Sequence, residues 1–222
     1  MCGRFAYIPA RERLIAQFGI SSTIEEGSAR YNSAPGASVL CLVKTELKGL
    51  SGVLLRWGLV PFWTKELAKV KPLANARGET VFEKPAFRQA IKSKRCILPM
   101  SGFYEWHDES GHKQPYFFRM KNNDYLAVAA FWDTWHQGDE VLHTCCLITT
   151  TANSLVEPVH QRMPALLDKD AQALWLDNTR FDKAELSRLI KPYASDELIS
   201  YPVSTKVNQA RFNEPSAIEP LE

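Results

Sequence analysis

Alternating apolar and polar positions dominate the middle of the chain. Between residues 96 and 150, apolar side chains recur with the two-residue period of a strand that buries one face. Turn-forming Gly, Asn, Asp and Ser residues interrupt the pattern at residues 109–111, 121–124 and 137–139. The pattern predicts strands at residues 96–99, 102–107, 115–120, 125–135 and 141–150. Short turns would join them into a meander that forms a curled sheet or a partly closed barrel.

Helices are predicted around this meander. Leu14, Ile15 and Phe18 share one face of a helix over residues 9–18, and Gly19 ends it. Further helices are predicted through Phe87 and Ile91, and over residues 153–159, 168–176 and 182–190. Residues 21–37 and 73–80 are polar and rich in turn formers, so we predict loops there.

Three more strands complete the predicted fold. Residues 39–43 and 53–57 are expected to form an antiparallel pair whose turn holds Lys48-Gly49, and residues 199–203 form a last strand. The 222 residues contain no internal repeat. We therefore expect a single α+β domain over residues 1–222, with a mostly antiparallel sheet, flanking helices and an irregular tail from about residue 209.

Composition narrows the class of protein. The net charge of +2 is too small to drive nucleic-acid binding without a local basic patch. No apolar run approaches the roughly 20 residues that span a bilayer, and no signal-peptide pattern is present. The five cysteines show no C-x-x-C spacing, which argues against a disulfide framework and a zinc site. We expect a cytoplasmic protein in a reducing compartment, with no membrane partner.

The first residues, Met1-Cys2-Gly3-Arg4, have the most distinctive chemistry. If Met1 is removed, as a small second residue allows, Cys2 carries both a free α-amine and a thiol. Their ordinary pKa values are about 7.7–8.0 and about 8.5, so both can react near neutral pH. The amine can condense with an aldehyde to a Schiff base, and the thiol can then close on the imine carbon to form a thiazolidine. Alternatively, Cys2 lies in a frayed terminus without function.

Three further motifs hold candidate catalytic groups. Glu105 lies in a predicted strand between Tyr104 and Trp106, where a carboxylate needs a partner or an aqueous cleft. Asn75 and Arg77 lie close together in a predicted loop, where they could also be an ordinary amide and a solvated cation.

The third motif, residues 157–164, contains Glu157 and His160 with the Glu-x-x-His spacing of metal-ligating helices. Dinuclear carboxylate sites use two such pairs, and here Pro158 interrupts the single one. We therefore interpret His160 as a general acid or base, with a structural histidine as the alternative. We expect no bound metal and no cofactor.

Taken together, the motifs resemble those of the SOS-response-associated peptidase (SRAP) family, whose members process abasic sites in single-stranded DNA. The resemblance spans almost the whole chain and is carried by residues 1–5, 30–36, 57–61, 75–77, 102–106 and 160–164. It implies the SRAP fold and a covalent DNA-protein cross-link to the ring-opened aldehyde, formed by lyase-type Schiff-base chemistry in the DNA damage response. The family name also implies autopeptidase activity, although only Met1 precedes Cys2 here.

The resemblance also implies a role for each catalytic candidate. Cys2 would be the nucleophile and Glu105 would shuttle protons during formation of the bond. His160 would assist opening of the sugar ring, and Asn75 would position Cys2. Gly78 departs from the family pattern, because many members carry a larger residue there, and we expect it to loosen that turn.

A second set of residues would bind the DNA strand by resemblance. The arginines are suited to phosphates, and the tryptophans to stacking on bases or wedging against a duplex end, with core packing as their alternative. The set consists of Arg4, Asn32, Pro35, Trp63, Arg77, Trp106 and Arg162.

Other functions remain open at this point. Met-Cys-Gly also begins N-terminal-nucleophile amidohydrolases, and Cys2 with His160 could form a thiol peptidase. The arginines and tryptophans alone could form a noncatalytic single-strand binding module. The expected partner is single-stranded DNA containing an abasic site, bound by a monomer, with a preference for duplex junctions left open. When bound to DNA, the intracellular protein is expected to be associated with the nucleoid.

Overall fold

The computed structural model describes residues 2–45 and 49–221, so Met1 and Lys48 of the predicted turn lie outside the described residues. Within these ranges the strands are β1 (Arg4–Tyr7), β2 (Arg30–Ser33), β3 (Ser38–Thr45), β4 (Gly49–Trp57), β5 (Asn75–Arg77), β6 (Arg95–Met100), β7 (Gly102–Glu109), β8 (His112–Met120), β9 (Leu126–Gln137), β10 (Glu140–Thr151), β11 (Arg162–Pro164) and β12 (Leu198–Pro202). The α-helices are α1 (Arg11–Phe18), α2 (Ala90–Ser93), α3 (Lys169–Leu176) and α4 (Lys183–Leu189). The predicted α+β class is confirmed.

Five strands close into a barrel. β4, β3, β6, β9 and β10 pair antiparallel in that order. β10 then returns to β4 in parallel, with Thr144 opposite Arg56. The barrel strands carry fully buried apolar side chains such as Leu42, Ile97 and Phe131, which form the main core. The expected mostly antiparallel, barrel-like sheet is therefore confirmed.

A second sheet has the order β12-β8-β7-β1-β2, and all its neighbours are antiparallel. β1 lies between β7 and β2, so the beginning of the chain is held on both edges. This sheet has its own small apolar cluster, which includes Tyr104, Phe117 and Val207. The second sheet thus fixes the residues that follow Cys2.

The predicted meander is divided between the two sheets. The hairpins β7–β8 and β9–β10 form as predicted, but β6 joins the barrel and β7 joins the second sheet. The change occurs at Ser101, whose N–H donates to the Ala6 carbonyl at 2.8 Å and whose Oγ accepts the Ile8 N–H at 2.9 Å. Periodicity identifies a strand but not its partner, so the sequence did not predict this division.

Besides β1, three short strands lie in segments for which the sequence predicted no strand. β2 is part of the predicted loop at residues 21–37, and β5 is part of the predicted loop at residues 73–80. β5 pairs in parallel and β11 pairs antiparallel with β10. These strands have only three or four residues and contain polar side chains, so neither alternation nor an apolar run identifies them.

The longer helices form close to their predicted positions. Gly19 ends α1 with a φ of 66°, and the side chains of Asp168 and Asp182 cap the first turns of α3 and α4. The helix predicted through residues 87–91 is shortened to α2. Residues 153–159 form turns in which Asn153 Oδ1 accepts the Leu155 and Val156 N–H groups, so the helix predicted there is wrong. None of the described helices has the length and hydropathy needed to cross a membrane.

Residues 209–221, predicted to be irregular, pack on the second sheet. They include a short 3₁₀ turn at Pro215–Ile218, in which Ala217 is fully buried. Tyr104 donates its hydroxyl to the Tyr31 carbonyl at 2.6 Å and to the Ala217 carbonyl at 3.3 Å. One buried tyrosine therefore connects β7, β2 and the end of the chain.

Arg95 follows Lys92 and Lys94 closely in the sequence but is completely buried. Its guanidinium donates to backbone carbonyls near the C-terminal ends of α2 and α3, where helices leave carbonyls without partners. The acceptors are the carbonyls of Ile91, Lys92, Trp175, Asp177 and Arg180. Arg95 is therefore a structural residue that joins both helices to β6.

Replacing Arg95 by Lys is expected to lower the free energy of unfolding by about 3 kcal/mol, because lysine keeps the charge but cannot reach most of these carbonyls. Urea unfolding of the two proteins measures the difference. Arg88→Lys, the same change at an exposed position, should cost no more than about 0.5 kcal/mol. Equal losses in the two variants would contradict the role assigned to Arg95.

Candidate active site

Cys2 is separated from β1 by Gly3 alone and is completely buried. Its thiol approaches the Arg4 carbonyl at 3.8 Å, and its own carbonyl accepts a 2.8 Å hydrogen bond from Asn75 Nδ2. Burial raises the pKa of the Cys2 thiol, and the charge of Glu105 raises it further. The thiol is therefore protonated at neutral pH.

Glu105 is brought to Cys2 by the pairing of β1 with β7. Arg4 lies opposite Tyr104 in this pair, so the residues just before β1 lie beside Glu105. The side chain is only 3% exposed, and burial raises the pKa of its carboxyl to about 7. Both protonation states are therefore populated near neutral pH, as proton transfer in both directions requires.

His160 lies in the segment between β10 and β11, with Nδ1 4.0 Å from Glu105 Oε1. Nδ1 lies 3.0 Å from both the backbone nitrogen and the carbonyl oxygen of Arg162, so it accepts from the N–H in one tautomer and donates to the carbonyl in the other. Burial lowers the pKa of His160, so the ring is neutral at neutral pH. The segment is joined to β7 by a 2.8 Å contact between His107 Nδ1 and the Pro158 carbonyl.

Asn75 reaches Cys2 from β5, which is held in place by its pairing with β10. Its Nδ2 donates to the Cys2 carbonyl, whereas its buried Oδ1 accepts no hydrogen bond from the described residues. Asn75 therefore fixes the backbone of Cys2 and leaves an acceptor close to it.

A cleft of about 520 Å³ opens at this end of the second sheet. Its lining residues are Gly3, Arg4, Glu105, Trp106, Lys113, His160 and Asn208. Cys2 directly precedes the lining residue Gly3. The structure thus brings together all four predicted catalytic residues, although they come from four separate segments of the chain.

Arg4 and Asn32 form one bonded unit beside the cleft. Arg4 Nη1 donates to Asn32 Oδ1 at 3.0 Å and to the Val207 carbonyl at 2.8 Å, and partial burial lowers the pKa of Arg4. Asn32 is buried, and its Nδ2 donates to the carbonyls of Val207, Gln209 and Phe212. Asn32 therefore holds the C-terminal segment and orients Arg4 within the protein.

The other two predicted DNA-binding arginines lie on either side of β10. Arg77 is exposed at the end of β5 and lies opposite Thr149. Arg162 begins β11 and forms a salt bridge with Glu79 at 2.5 Å. Both arginines therefore lie on short strands that pair with the C-terminal part of β10, and Arg162 lies two residues after His160.

The remaining predicted DNA-binding residues are placed differently. Trp106 lines the cleft, and its Nε1 donates to Asn208 Oδ1 at 2.6 Å. Trp63 is 49% exposed and packs edge-on against the exposed Phe62, with ring centroids 4.9 Å apart. Pro35 is exposed in the turn after β2. Trp63 and Pro35 do not line the cleft.

Sequence reasoning missed several residues around the site. Lys113 and Asn208 line the cleft, His107 holds the segment that carries His160, and Glu79 binds Arg162. Lys113 reaches the cleft because β8 pairs with β7, and Asn208 because the C-terminal segment crosses the second sheet. No local motif marks Lys113, His107 or Asn208, whereas Glu79 was visible only as the neighbour of Asn75 and Arg77.

Other candidate residues lie outside the site. The remaining cysteines, Cys41, Cys96, Cys145 and Cys146, are buried on barrel strands, and none lines the cleft. Glu157 is exposed. In the part of the chain that the structure describes, no group of three or more His, Cys, Asp or Glu residues is arranged to hold a metal ion.

Comparisons with known proteins give consistent matches. A family model described as SOS response associated peptidase (SRAP) matches residues 1–210. Abasic site processing protein YoqW of Bacillus subtilis is 37% identical over 223 residues, which cover 99% of each chain. Abasic site processing protein HMCES of Gallus gallus is 34% identical over 233 residues, which cover 90% of this chain and 69% of that relative.

Solved structures match over most of the chain as well. A crystal structure of a protein from Bacteroides thetaiotaomicron has a TM-score of 0.88 and 27% identity, with 100% of both chains covered. A second, from Bordetella bronchiseptica, has a TM-score of 0.80 and 25% identity, covering 91% of this chain and 100% of that one. The two-sheet arrangement described above is thus shared with experimental structures.

The raised pKa of Glu105 predicts a pH dependence of stability. Its folded pKa of about 7 exceeds the ordinary value of 4.5, so the native state binds this proton more tightly than the unfolded state does. The free energy of unfolding should therefore fall by up to roughly 3 kcal/mol as pH rises through this interval, and change no further above it. Glu105→Gln should lack this contribution.

Urea unfolding of both proteins from about pH 5 to about pH 8 measures the difference. We expect the variant to gain stability relative to the wild type as pH rises through this range. Two stability curves that stay parallel would contradict the raised pKa.

Proposed function

Because this chain belongs to the SOS response associated peptidase (SRAP) family, as its motifs predicted, we propose that it processes abasic sites in single-stranded DNA. In this proposal, removal of Met1 makes Cys2 the first residue, and Cys2 then bonds covalently to the abasic sugar. The bond shields the lesion during the response to DNA damage. The relatives described as abasic site processing proteins support the substrate.

One observation carries the chemical part of the proposal. Groups suited to each step of aldehyde capture meet around Cys2 from distant segments of the chain. Glu105 Oε1 lies 4.0 Å from His160 Nδ1, and Asn75 binds the Cys2 carbonyl at 2.8 Å. Such an arrangement holds the reacting backbone in place and supplies two groups for proton transfer beside it.

The reaction begins with the Cys2 amine and the aldehyde of the ring-opened sugar. The nitrogen attacks the aldehyde carbon while the protonated Glu105 carboxyl donates its proton to the carbonyl oxygen. The resulting carboxylate then takes one proton from the positively charged nitrogen, which leaves a neutral carbinolamine and a protonated Glu105. Glu105 then donates its proton to the carbinolamine hydroxyl, which leaves as water and produces an iminium. The pKa of about 7 allows one carboxyl to act in turn as acid and as base.

The thiol then closes the thiazolidine ring. The Cys2 sulfur adds to the iminium carbon, and its proton passes to Glu105, so the net reaction converts an aldehyde and an aminothiol into a thiazolidine and water. Burial keeps the thiol protonated in the free protein. The cationic iminium favours the thiolate once it has formed, because an adjacent positive charge lowers a thiol pKa.

His160 acts on the sugar before capture. An abasic deoxyribose is mainly a closed hemiacetal, and opening it requires removal of the proton on O1′ and protonation of the ring oxygen. A neutral imidazole can accept one proton while it donates another. The lowered pKa of His160 keeps it neutral, and its place in the cleft next to Glu105 supports this role.

The arginines bind the strand on both sides of the reacting sugar in this proposal. Arg4 and Trp106 line the cleft. Arg77 and Arg162 lie on β5 and β11, which both pair with β10. Phosphate contacts of this kind hold the strand in register without reading its sequence. All the proposed groups belong to one chain, which is consistent with action as a monomer.

The burial of the thiol argues against a thiol peptidase. A peptidase nucleophile needs a thiolate, which a nearby cationic histidine or helix terminus stabilises. Here burial and Glu105 raise the pKa of Cys2, and burial lowers the pKa of His160. These pKa shifts therefore favour a mechanism in which the amine attacks first over a mechanism in which a thiolate attacks first.

Mass-checked protein without Met1 should form a band that resists heat and detergent with an abasic single strand, and no such band with the undamaged strand. Cys2→Ala should lose the band, and Cys2→Ser should keep at most a labile adduct, because only the thiol closes the thiazolidine. Denaturing gels measure the product. Cys146→Ala removes a thiol outside the cleft and should still cross-link.

Three results would contradict this mechanism. They are the absence of a band from correctly processed protein, a durable band from Cys2→Ala, and equal cross-linking by protein that retains Met1. Hydrolysis of glutamine or of a peptide by the same preparation would instead support one of the alternative enzymes.

His160→Ala should slow cross-linking to an abasic deoxyribose by roughly 100-fold, because ring opening loses its acid and base. The same variant should react at nearly the wild-type rate with a strand carrying an acyclic aldehyde that has no hydroxyl able to close a ring. Single-turnover rates from quenched gels test this contrast. His143→Ala removes an exposed histidine outside the cleft and is the control. Equal slowing on both aldehydes would contradict a role in ring opening.

A further inference from the structure

Arg162 is held from two sides in the structure. Its Nη2 donates to the carbonyl and the hydroxyl oxygen of Thr149 at 2.8 and 3.3 Å. Its Nη1 and Nη2 also donate to the two carboxylate oxygens of Glu79 at 2.5 and 3.0 Å. This two-point contact is the geometry with which arginine binds either a carboxylate or a phosphate.

The two partners of Arg162 differ in their access to solvent. Thr149 is completely buried in β10, whereas the Glu79 side chain is 52% exposed. Arg162 itself is 15% exposed. Thr149 is thus the fixed inner partner, and Glu79 is an outer partner that a ligand from solvent can replace.

Glu79 is charged in this position. The hydrogen bond from Arg162 lowers the pKa of its carboxyl, and the charge of Arg77 lowers it further. The ionised carboxylate therefore offsets the positive charge of two arginines assigned to DNA binding. A salt bridge this exposed contributes little to stability, so its removal should leave the fold intact.

The backbone holds Glu79 close to Arg162. The Gly78 N–H donates to the Thr149 carbonyl at 2.9 Å, and a Cβ at position 78 would overlap Ile190 Cγ2. Gly78 therefore packs tightly against β10 and against Ile190, the residue that follows α4. The expectation that Gly78 loosens the turn is wrong. Arg77 and Glu79 are fixed on either side of this contact.

We propose that Glu79 mimics a DNA phosphate. It occupies the outer edge of the Arg162 guanidinium in the free protein, and a phosphate of the bound strand displaces it. The inference rests on the proposed function, because it requires Arg162 to bind DNA.

The consequence is selectivity against undamaged strands. Binding to undamaged DNA depends on phosphate contacts, so competition by Glu79 weakens it directly. An abasic strand is retained by the covalent bond to Cys2, so the same competition affects the final product much less. Glu79 thus shortens the residence time of the protein on undamaged DNA and still allows the covalent capture of an abasic site.

Glu79→Gln should bind an undamaged single-stranded oligonucleotide roughly three- to tenfold more tightly than the wild type at about 0.1 M salt, because Arg162 becomes free for a phosphate. The plot of log affinity against log salt should steepen by roughly 0.7, the value for one more phosphate contact on a single strand. Fluorescence anisotropy across a salt series measures both quantities.

Two variants test whether the gain comes from Arg162. Glu83→Gln makes the same charge change at an exposed residue paired with Lys183, and it should increase affinity much less. Glu79→Gln introduced into an Arg162→Gln background should give no more than the Glu83→Gln gain. Thermal unfolding shows whether each variant is folded.

Unchanged or weaker binding by Glu79→Gln would overturn the proposal, and weaker binding would show that Glu79 positions Arg162 for DNA. A gain that survives in the Arg162→Gln background would also overturn it. Cross-linking of an abasic strand by the wild type is measured separately. A cross-linked band without the predicted gain in affinity of Glu79→Gln would contradict only this inference. The gain in affinity without a cross-linked band would contradict only the covalent mechanism.

Discussion

The antiparallel pairing of β1 with β7 is the contact on which the site depends. It sets Arg4 opposite Tyr104 and Ala6 opposite Gly102, and so brings Cys2 beside Glu105. On the other edge of β7, Gly102 permits the close approach of β8, because a Cβ there would lie 2.6 Å from the Phe118 carbonyl oxygen. A shift of one residue would turn every side chain of β1 to the other face. Strand register is therefore as important to the proposed chemistry as the identity of the proposed catalytic residues.

Burial determines the protonation of the groups that this register brings together. It raises the pKa values of Cys2 and Glu105 and lowers that of His160. Each shift favours the neutral form, because moving a charge from water into a buried site is costly. The free protein therefore holds a thiol, a carboxyl near its titration point and a neutral imidazole. These are the protonation states that the proposed mechanism requires, in which the amine attacks before the thiol.

The positive groups around the cleft are held by contacts within the protein. Arg4 is bonded to Asn32 and to the Val207 carbonyl, so the position of this N-terminal arginine depends on a segment near the C-terminus. Arg162 is bonded to Thr149 and Glu79. If these arginines bind DNA as proposed, such contacts reduce the entropy lost when the side chains bind a strand, and they also compete with phosphates. In that proposal, the affinity for DNA is a balance between acceptors within the protein and phosphates of the strand.

Local patterns in the sequence determined the α+β class and the positions of the longer strands and of α1, α3 and α4. Local motifs also determined the family to which the chain belongs. Periodicity and motifs are properties of residues that are neighbours in the chain, so the sequence alone is enough to read them. Cys2, Glu105 and His160 were identifiable by their chemistry within those motifs. Only the tertiary structure decided that β6 and β7 belong to different sheets, and that the short polar strands β2, β5 and β11 form. It also showed that Asn32 binds the C-terminal segment and that Glu79 binds Arg162. Those features depend on partners far away in the chain, and strand pairing over such distances leaves no local pattern.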